Sequence, residues 1–359
     1  MNITVLAYLA AGEEKPDGVV DQVCDALRAG GHKPSVLAIY DDVGKLAATL
    51  NRRKPDLVFN LLEDFGDEIL GGLIGVTGVL DLLQIPYTGG GPGELFLQED
   101  KALSKKLLAF EQVLYPDFAS FAPNAEFETG GKLRMPLFVK PLRTDASIGI
   151  DQKSLVNNTQ ELMERVLNIH KKFGDTALAE EYIEGRELYI GILGNQQPTV
   201  LPPIEMDFTG MPEGDAHIVD NKAKFDESSP QFKGTKSVLA ELEPELKAKL
   251  QKVALDAYRA LSVRDYGRID LRLTEAGEIY VIEVNANCYL EKEGEFAMAA
   301  AAVDMDYNTI VNRIVELAIE RHSHRDQMLR KKRKRKQKAA AKPAAAKTVA
   351  AKAADVPAE

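Results

Sequence analysis

The first 90 residues alternate between strand-like and helix-like segments, and this order restricts the fold more than any other feature of the chain. The strand-like segments are short apolar runs, and the helix-like segments carry apolar side chains at helical spacing. Such an order predicts parallel strands joined by crossover helices. The predicted elements are a strand at Ile3–Leu9, a helix at 16–30, a strand at Ser35–Tyr40, a helix at Asp41–Arg53 and a strand at Asp56–Leu61.

The pattern changes after the turn-forming segment Pro86–Gly93, where we place the first domain boundary. From about residue 118 strand-like runs predominate, and Tyr266–Leu273 and Glu278–Asn287 are predicted to form a hairpin. Residues 209–236 are polar and predicted as one long loop, which inside a compact domain is usually functional. Further helices are predicted at Pro244–Leu261 and Tyr307–Arg321.

Charge is distributed unevenly along the chain. The formal net charge is −10, but residues 331–359 contain ten Lys/Arg and two Asp/Glu, which leaves a net charge of −18 on residues 1–330. An acidic body argues against nucleic acid as the main ligand, because phosphate backbones bind basic surfaces. The Lys/Ala-rich end is predicted to be disordered, and it either contacts nucleic acid or another polyanion or only keeps the chain in solution.

Cysteine content and hydropathy exclude other classes of protein. Cys24 and Cys288 are the two cysteines of the chain, too few for a disulfide framework or a cysteine-rich zinc site. No stretch approaches 18 consecutive apolar residues, so we expect no membrane-spanning helix and no membrane partner. Residues 1–9 lack the basic segment and cleavage site of a secretory signal, so we expect a cytoplasmic protein.

The predicted late hairpin carries the most informative polar residues. Alternation along a strand puts Arg268, Asp270 and Arg272 on one face, and Glu283 and Asn285 on one face of the partner strand. A four-residue turn sets Asp270 opposite Glu283 and Arg268 opposite Asn285. Like charges across a sheet repel, and hard oxygen ligands suit Mg²⁺, so the pattern predicts a magnesium site. A solvent-facing polar stripe with salt bridges explains the spacing equally well.

Two lysines and one acidic segment are weaker candidates. Lys140 ends an apolar strand and precedes a loop of small and polar residues whose N–H groups could cover phosphates. Lys101 follows an acidic residue, and it is either a functional lysine or only a solvated residue of a helix. In the segment Ala179–Glu187 the end of a strand could bind the edge of a base and a carboxylate could bind ribose hydroxyls, or the segment is only an acidic loop.

The order of these residues resembles the ATP-grasp superfamily. The chain is most similar to the D-alanine–D-alanine ligases, over most of residues 1–320. Pro86-Tyr87-Thr88-Gly89 followed by Asp100-Lys101 resembles a segment of that family, and Asn221–Phe225 resembles its lid loop. The residues that match in order and spacing are Lys101, Lys140-Pro141, Glu180 to Ile183 with Gly185 to Glu187, Arg268 with Asp270, and Glu283 with Asn285.

The resemblance implies an α/β (α+β) ATP-grasp fold in which ATP binds between two lobes. A Rossmann-like preATP-grasp domain is then expected at residues 1–95 and the ATP-grasp domain at 96–322. Its small lobe is expected at roughly 118–200, and the large lobe forms the remainder. A disordered Lys/Ala-rich tail is expected at residues 323–359.

The resemblance also implies the roles of individual residues. ATP phosphates would be bound by Lys101, Lys140 and the phosphate loop that contains Ser147. Adenine would lie against Glu180, Glu181, Tyr182 and Ile183, with ribose near Glu187. Two Mg²⁺ ions, or Mn²⁺ in their place, would be bound by Asp270, Glu283 and Asn285.

By the same resemblance, the reaction phosphorylates a carboxylate and lets an amine displace the phosphate. Arg268 would stabilise the oxyanion of the tetrahedral intermediate, and Lys224 would contact the transferred phosphoryl group. The expected partners are ATP and small amino-acid or carboxylate substrates, with a homodimer as one assembly. The alternatives are an ATP-grasp carboxylase, or a catalytically silent ATP-binding scaffold whose tail binds a polyanion.

Three departures from the family concern the amino-acid end of the site. The phosphate loop has Ala146 where the family has a serine, and the lid has Phe225 where the family has a tyrosine. Tyr289 replaces a glycine, and the family's carboxylate-binding serine is missing nearby. Glu14, or its neighbour Glu13, would supply the family's N-terminal glutamate, and Tyr289 would line the substrate pocket. We therefore expect a ligase that uses D-alanine poorly or not at all.

Overall fold

The computed structural model describes residues 1–66, 71–123, 127–129, 132–144, 147–325 and 327, with the backbone alone at 127–129, 221 and 225. The predictions made for Ala146 and for the side chain of Phe225 lie outside these residues. So do residues 326 and 328–359 of the predicted disordered tail at 323–359, whereas residues 323–325 of that range are helical rather than disordered.

The N-terminal sheet has three parallel strands in the order β2-β1-β3, which confirms the strand–helix–strand prediction. Alternate residues of the central strand point to opposite faces, so that helices pack on both sides. Asp42 accepts a hydrogen bond from Lys45 N at 2.7 Å, and this N-cap begins the second helix at Val43 rather than at Asp41. The elements are β1 (Asn2–Tyr8), α1 (Val19–Ala29), β2 (Lys33–Ile39), α2 (Val43–Arg53), β3 (Leu57–Leu61), α3 (Gly72–Leu83), α4 (Pro92–Glu99) and α5 (Lys101–Phe110).

A second sheet of five antiparallel strands follows, in the order β5-β4-β8-β6-β7. Helix α6 buries Leu162, Val166 and Ile169 against it, and Asn158 caps the start of this helix by accepting from Glu161 N. The elements are β4 (Phe118–Phe121), β5 (Phe127–Thr129), β6 (Leu137–Pro141), β7 (Leu155–Val156), α6 (Thr159–Phe173) and β8 (Ala177–Glu181).

The third sheet has the order β12-β11-β9-β13-β14, with β10 paired to β9. Its strands carry most of the polar residues singled out above. Helix α9 packs on one face, and α10 and α11 pack on the other. The elements are β9 (Arg186–Leu193), β10 (Thr199–Val200), β11 (Ile204–Asp207), α7 (Asn221–Phe225), α8 (Pro230–Gly234), β12 (Lys236–Leu239), α9 (Pro244–Ala260), β13 (Tyr266–Leu273), β14 (Ile279–Ala286), α10 (Glu295–Ala301) and a helix at 307–325, here α11.

The range 118–200, where the small lobe is expected, contains strands of two different sheets. Strands from β4 to β8 do form one sheet, but β9 pairs with β13 along its whole length, from Arg186 to Leu193. The range 118–200 is therefore divided between two sheets after Glu181. The expected domain boundary near residue 95 stays a prediction.

The polar segment 209–236 is not one irregular loop as predicted. It contains the short helices α7 and α8, whose N-caps are Asp220 and Ser229. Each of these side chains accepts a hydrogen bond from a backbone N–H three residues further on, Ala223 and Phe232 respectively. Local capping therefore gives this segment a defined shape.

A buried carboxylate joins the N-terminal sheet to the third sheet. Asp265, immediately before β13, is fully buried and accepts hydrogen bonds from Gly89 N at 2.8 Å and from both Nε and Nη2 of Arg321. Arg321 of α11 also donates to the carbonyl of Tyr87 at 2.7 Å. Within the described ranges, no helix combines the length and apolar content that crossing a membrane requires.

Candidate nucleotide and metal site

Strands β13 and β14 bring the predicted metal ligands together. Asp270 pairs with Glu283 and Arg268 pairs with Asn285, which confirms the predicted register. The next pair is Leu271 with Val281, so the intervening residue of β14 is a bulge. Two carboxylates and a carboxamide therefore lie on one face of two neighbouring strands.

Asp270 is held in place by its neighbours on the sheet. Arg268 donates to it through Nε at 2.7 Å and Nη2 at 3.0 Å, and Asn285 Nδ2 donates at 3.1 Å. Burial raises the pKa of the Asp270 carboxyl, and the charge of Arg268 opposes this effect. Arg268 also lies over the ring of Tyr189 and pairs with Glu295 at 3.3 Å, so its guanidinium is fixed on several sides.

Glu283 faces lysines rather than an arginine. Lys101 Nζ lies 3.3 Å from its Oε1 and also donates to Thr144 O at 3.2 Å. Burial by itself would raise the pKa of Glu283, but the charges of Lys101, Lys140 and Lys224 outweigh it and lower that pKa to about 2. This carboxylate is therefore ionised at any pH at which the protein would work.

The donor set fits magnesium better than a metal that prefers nitrogen or sulfur. Among the described residues, no three or more His, Cys, Asp and Glu side chains form a group that could hold a metal ion. Asp270 and Glu283 supply two carboxylates, and Asn285 supplies an amide oxygen, since its nitrogen donates to Asp270. Mg²⁺ usually takes one or two protein carboxylates and completes its coordination with water and substrate phosphates.

A buried cluster of two lysines and one glutamate lies beside Glu283. Glu180, at the end of β8, is 2.7 Å from Lys105 Nζ and 2.8 Å from Lys140 Nζ. All three side chains are buried. Burial by itself would raise the pKa of Glu180, but the two lysines outweigh it and lower that pKa. The sequence reasoning missed Lys105, although its position four residues after Lys101 puts both on one helix face.

The predicted lid, residues 209–236, lies against the predicted phosphate loop at Ser147. Ser147 Oγ donates to Val219 O at 3.0 Å, and Ala216 N donates to Gln152 Oε1 at 3.0 Å. Lys224 is exposed on α7 of the lid, and its charge contributes to the low pKa of Glu283. The predicted phosphate ligands of the lid and of the loop thus lie on the same side of the site.

Glu187 accepts hydrogen bonds from two side chains of the protein. Tyr189 Oη donates to Oε1 at 2.5 Å, and Arg272 Nη2 donates to Oε2 at 2.6 Å. Arg272 also donates to the lid carbonyl of His217 at 2.6 Å and lies over the ring of Tyr182. Strand alternation predicted from the sequence that Arg272 lies on this face. The contact of Arg272 with the lid was not predictable from that pattern.

The segment after β8 connects the second and third sheets. Glu181 N donates to Asp117 O at 2.8 Å, and Tyr182 N donates to Pro136 O at 3.1 Å, while Ile183 follows before β9 begins. This segment lies beside both the lysine cluster and Arg272. The predicted contact of Glu181, Tyr182 and Ile183 with a base stays a prediction.

A cleft of about 310 Å³ lies between the N-terminal sheet and the end of β14. Tyr289 lines it and donates to Asp17 Oδ2 at 3.0 Å, and its role in a substrate pocket stays a prediction. Glu13 lines the cleft, whereas Glu14, the predicted substrate ligand, is exposed and is not part of its lining. Glu63 lines it as well, and loss of hydration together with the charges of Asp17 and Asp64 raises the pKa of Glu63 to about 7.

The fold and the match to a family model define the class of protein, an α/β ATP-grasp ligase. Residues 106–316 match the family model described as D-ala D-ala ligase C-terminus. The chain belongs to the D-alanine–D-alanine ligase family and is an ADP-forming, ATP-dependent ligase that forms carbon–nitrogen bonds.

Similar proteins cover most of the chain. The "Uncharacterized protein y4sG" of Sinorhizobium fredii is 32% identical over 315 residues, which cover 86% of this chain and 89% of that protein. The D-alanine–D-alanine ligase of Aquifex aeolicus is 29% identical over 296 residues, with 82% and 92% covered. The crystal structure of the D-alanine–D-alanine ligase from Bacillus anthracis complexed with ATP has a TM-score of 0.68 at 22% identity, and covers 90% of this chain and 99% of its own.

Proposed function

We propose that this protein uses Mg-ATP to join a carboxylate to an amine through an acyl-phosphate intermediate. The observation that carries the proposal is the position of Asp270 directly opposite Glu283, with Lys101 3.3 Å from the latter. Facing carboxylates repel each other across a sheet, so a cation and anionic phosphates explain why both acids and the lysine lie there. We place this activity in the cytoplasm.

Residues of β13, of β14 and of the lysine cluster would together bind Mg-ATP. Asp270, Glu283 and Asn285 would hold Mg²⁺, or Mn²⁺ in its place, and the ions would neutralise negative charge on the phosphates. Lys101 and Lys140 would bind phosphate oxygens. The phosphate loop at Ser147 and Lys224 of the lid would cover the phosphates from the other side and exclude water.

Adenine and ribose would lie along the connection between β8 and β9. The carboxylates of Glu180 and Glu187 already have lysine, arginine and tyrosine partners, so we expect backbone groups near Ile183 to meet the base. Glu187 would accept a ribose hydroxyl with a remaining lone pair, since each carboxylate oxygen can accept two hydrogen bonds.

The proposed reaction has two displacement steps. A carboxylate oxygen of the first substrate attacks the γ-phosphorus of ATP, and the bond to the β-phosphate oxygen breaks to release ADP. The deprotonated amine of the second substrate then attacks the acyl carbon. The carbon–oxygen bond to phosphate breaks, an amide forms, and inorganic phosphate leaves.

Arg268 would stabilise the oxyanion that forms in the second step. Its guanidinium is held by Asp270, by Glu295 and by the ring of Tyr189, so little reorganisation is needed when negative charge develops beside it. Ser237 Oγ in turn donates to Glu295 at 3.0 Å, which fixes that carboxylate. Preorganised donors of this kind typically contribute about 10²–10³-fold to a rate.

The second substrate would enter through the cleft lined by Tyr289 and Glu63. Relatives are named for D-alanine, but Tyr289 adds a phenol to this cleft and binds Asp17, which changes the shape of the acceptor end. Together with Ala146 and Phe225, this supports the proposal that D-alanine is a poor substrate and that other small amino acids or carboxylates are preferred.

The experiment that tests the function is phosphate release from ATP across a panel of amino acids and dipeptides, with Mg²⁺ present or chelated. We expect Mg²⁺-dependent release that needs both a carboxylate and an amine, with an amide product and ADP. A specificity constant for D-alanine well above those of all other amino acids would contradict the substrate proposal. Absence of stimulated release across the panel would contradict the ligase proposal.

A further inference from the structure

Lys105 is a buried lysine for which the proposed reaction has no role so far. It lies on α5, one helical turn after Lys101, and is 2% exposed. Its ammonium is 2.7 Å from Glu180 on β8 and donates at 3.4 Å to the carbonyl of Ile282, the bulged residue of β14. One side chain therefore connects a helix with one strand from each of the two larger sheets.

The charge balance around Glu180 depends on Lys105. Lys140 lies 2.8 Å from the other oxygen of Glu180, so a single carboxylate is shared by two buried ammonium groups. The three side chains together carry one positive charge. Without Lys105 the remaining pair of Lys140 and Glu180 would have no net charge. The carboxylate of Glu180 would then neutralise Lys140, the lysine that we expect to bind phosphate.

We propose that Lys105 is a positioning residue for the ligase reaction: it neutralises Glu180 and so leaves the charge of Lys140 available to the phosphates of ATP. The inference rests on the proposed function in one respect, that phosphates bind beside Lys101 and Lys140. The hydrogen bond from Lys105 to Ile282 O also connects Lys105 to the bulge next to Glu283. Lys105 itself would not touch the nucleotide, because its ammonium is buried against Glu180 and the carbonyl of Ile282.

A packing role and an electrostatic role make different predictions. Lys105→Met keeps most of the buried volume and removes the charge. If the charge of Lys105 is what matters, Lys105→Met should lower the affinity most for ATP, less for ADP and least for AMP. The reason is that the number of phosphates that Lys140 can attract falls in that order. A general disturbance of the site would weaken all three nucleotides alike.

The decisive variant is the double replacement Lys105→Met with Glu180→Gln. It removes one positive and one negative charge, leaves no unpaired carboxylate, and returns the cluster to a net charge of +1 through Lys140 alone. We expect Lys105→Met to weaken ATP binding by at least about 10-fold more than AMP binding, the scale of one charge-assisted contact. The double variant should return the ratio of ATP to AMP affinity to within about 3-fold of the wild-type ratio, because any contact between Glu180 and the base is lost equally for both nucleotides.

The measurement is calorimetric binding of ATP, ADP and AMP with Mg²⁺ to the full-length chain. Lys106→Met is the matched control, since Lys106 is the next residue of the same helix and is exposed. A ratio of ATP to AMP affinity in the double variant that stays more than about 3-fold below the wild-type ratio would overturn the inference, whether or not the single variant folds. Unchanged ATP binding by a folded Lys105→Met would overturn it too.

Failure of the ligase proposal is distinguishable from failure of this inference. Turnover tests the ligase proposal, whereas the nucleotide series tests Lys105 without any amino-acid substrate. A wild-type protein that binds ATP and shows the recovery in the double variant supports the role of Lys105 even if no acceptor is found. A wild type with equal affinity for ATP and AMP would overturn the role of Lys105, because phosphates would then add nothing to binding.

Discussion

Asp270 and Glu283 face each other across two strands, yet their surroundings act on them in opposite directions. Burial raises the pKa of Asp270, whereas three lysines lower the pKa of Glu283 to about 2. The sequence could predict that these residues meet, because strand alternation and a short turn fix the register. It could not predict their surroundings, because Lys140 comes from the second sheet and Lys224 from the lid.

Replacing Glu283 by alanine should remove catalysis and leave the fold intact. The variant loses a carboxylate that would hold Mg²⁺, and a loss of several kcal/mol of transition-state stabilisation corresponds to about 10³-fold or more in kcat. The measurement is kcat for ATP-dependent phosphate release, with circular dichroism to confirm the fold. Glu275→Ala, in the exposed turn of the same hairpin, is the control and should keep wild-type turnover.

The acceptor cleft should respond to pH through Glu63. Its pKa is raised to about 7, so this carboxyl is protonated below neutral pH and negatively charged above it. An ammonium substrate is attracted only to the charged form, so KM for the amine should fall as pH rises from 6 to 8. Glu63→Gln should flatten this dependence. Asp21→Asn, which replaces an exposed acid of α1 outside the cleft lining, should keep it. Equal pH profiles for wild type and Glu63→Gln would contradict the assignment.

At the scale of elements, local pattern and tertiary contact explain different parts of the structure. The hairpin of β13 and β14 was predictable because alternation and turn residues are local signals. Helices α7 and α8 are only five residues each, too short for a periodic pattern to reveal, and depend on the caps Asp220 and Ser229. The pairing of β9 with β13 joins segments about 80 residues apart in sequence, so no local signal could reveal it.

The lid should loosen when its contact with β13 is removed. Arg272 is buried, donates to His217 O of the lid and to Glu187, and the lid contains lysines that trypsin can cleave. Arg272→Met should therefore speed tryptic cleavage within residues 209–236 by about 10-fold or more, since cleavage follows the population of the open form. Arg259→Met, on the exposed side of α9, serves as the control. An unchanged cleavage rate in Arg272→Met would show that the lid is held elsewhere.

At the scale of the whole molecule, the N-terminal sheet and the third sheet share one apolar core. Residues of β1 and α1 pack in the same cluster as residues of β9, β13 and α10. The parallel order of the first sheet was predictable from its local segments, but its docking onto the third sheet was not, because it depends on contacts between distant parts of the chain. The expected homodimer and the role of the basic tail at 331–359 stay predictions.

The join between these sheets should be sensitive to Asp265. This carboxylate is fully buried and paired with Arg321, and removing one partner of a buried ion pair leaves an unpaired charge, which costs about 3–5 kcal/mol. Asp265→Ala should lower the free energy of unfolding by that amount in urea denaturation. Asp256→Ala, whose partner Lys252 is on the surface, should cost about 1 kcal/mol or less. Equal effects of the two variants would contradict a joining role.

The central claim is that a substrate carboxylate is phosphorylated by ATP before the amine attacks. The direct measurement uses the carboxylate substrate found in the panel, labelled with ¹⁸O in both carboxyl oxygens, followed by mass spectrometry of the released phosphate. We expect one ¹⁸O atom in each inorganic phosphate formed with the amide product. Amide formation with unlabelled phosphate would contradict the acyl-phosphate route.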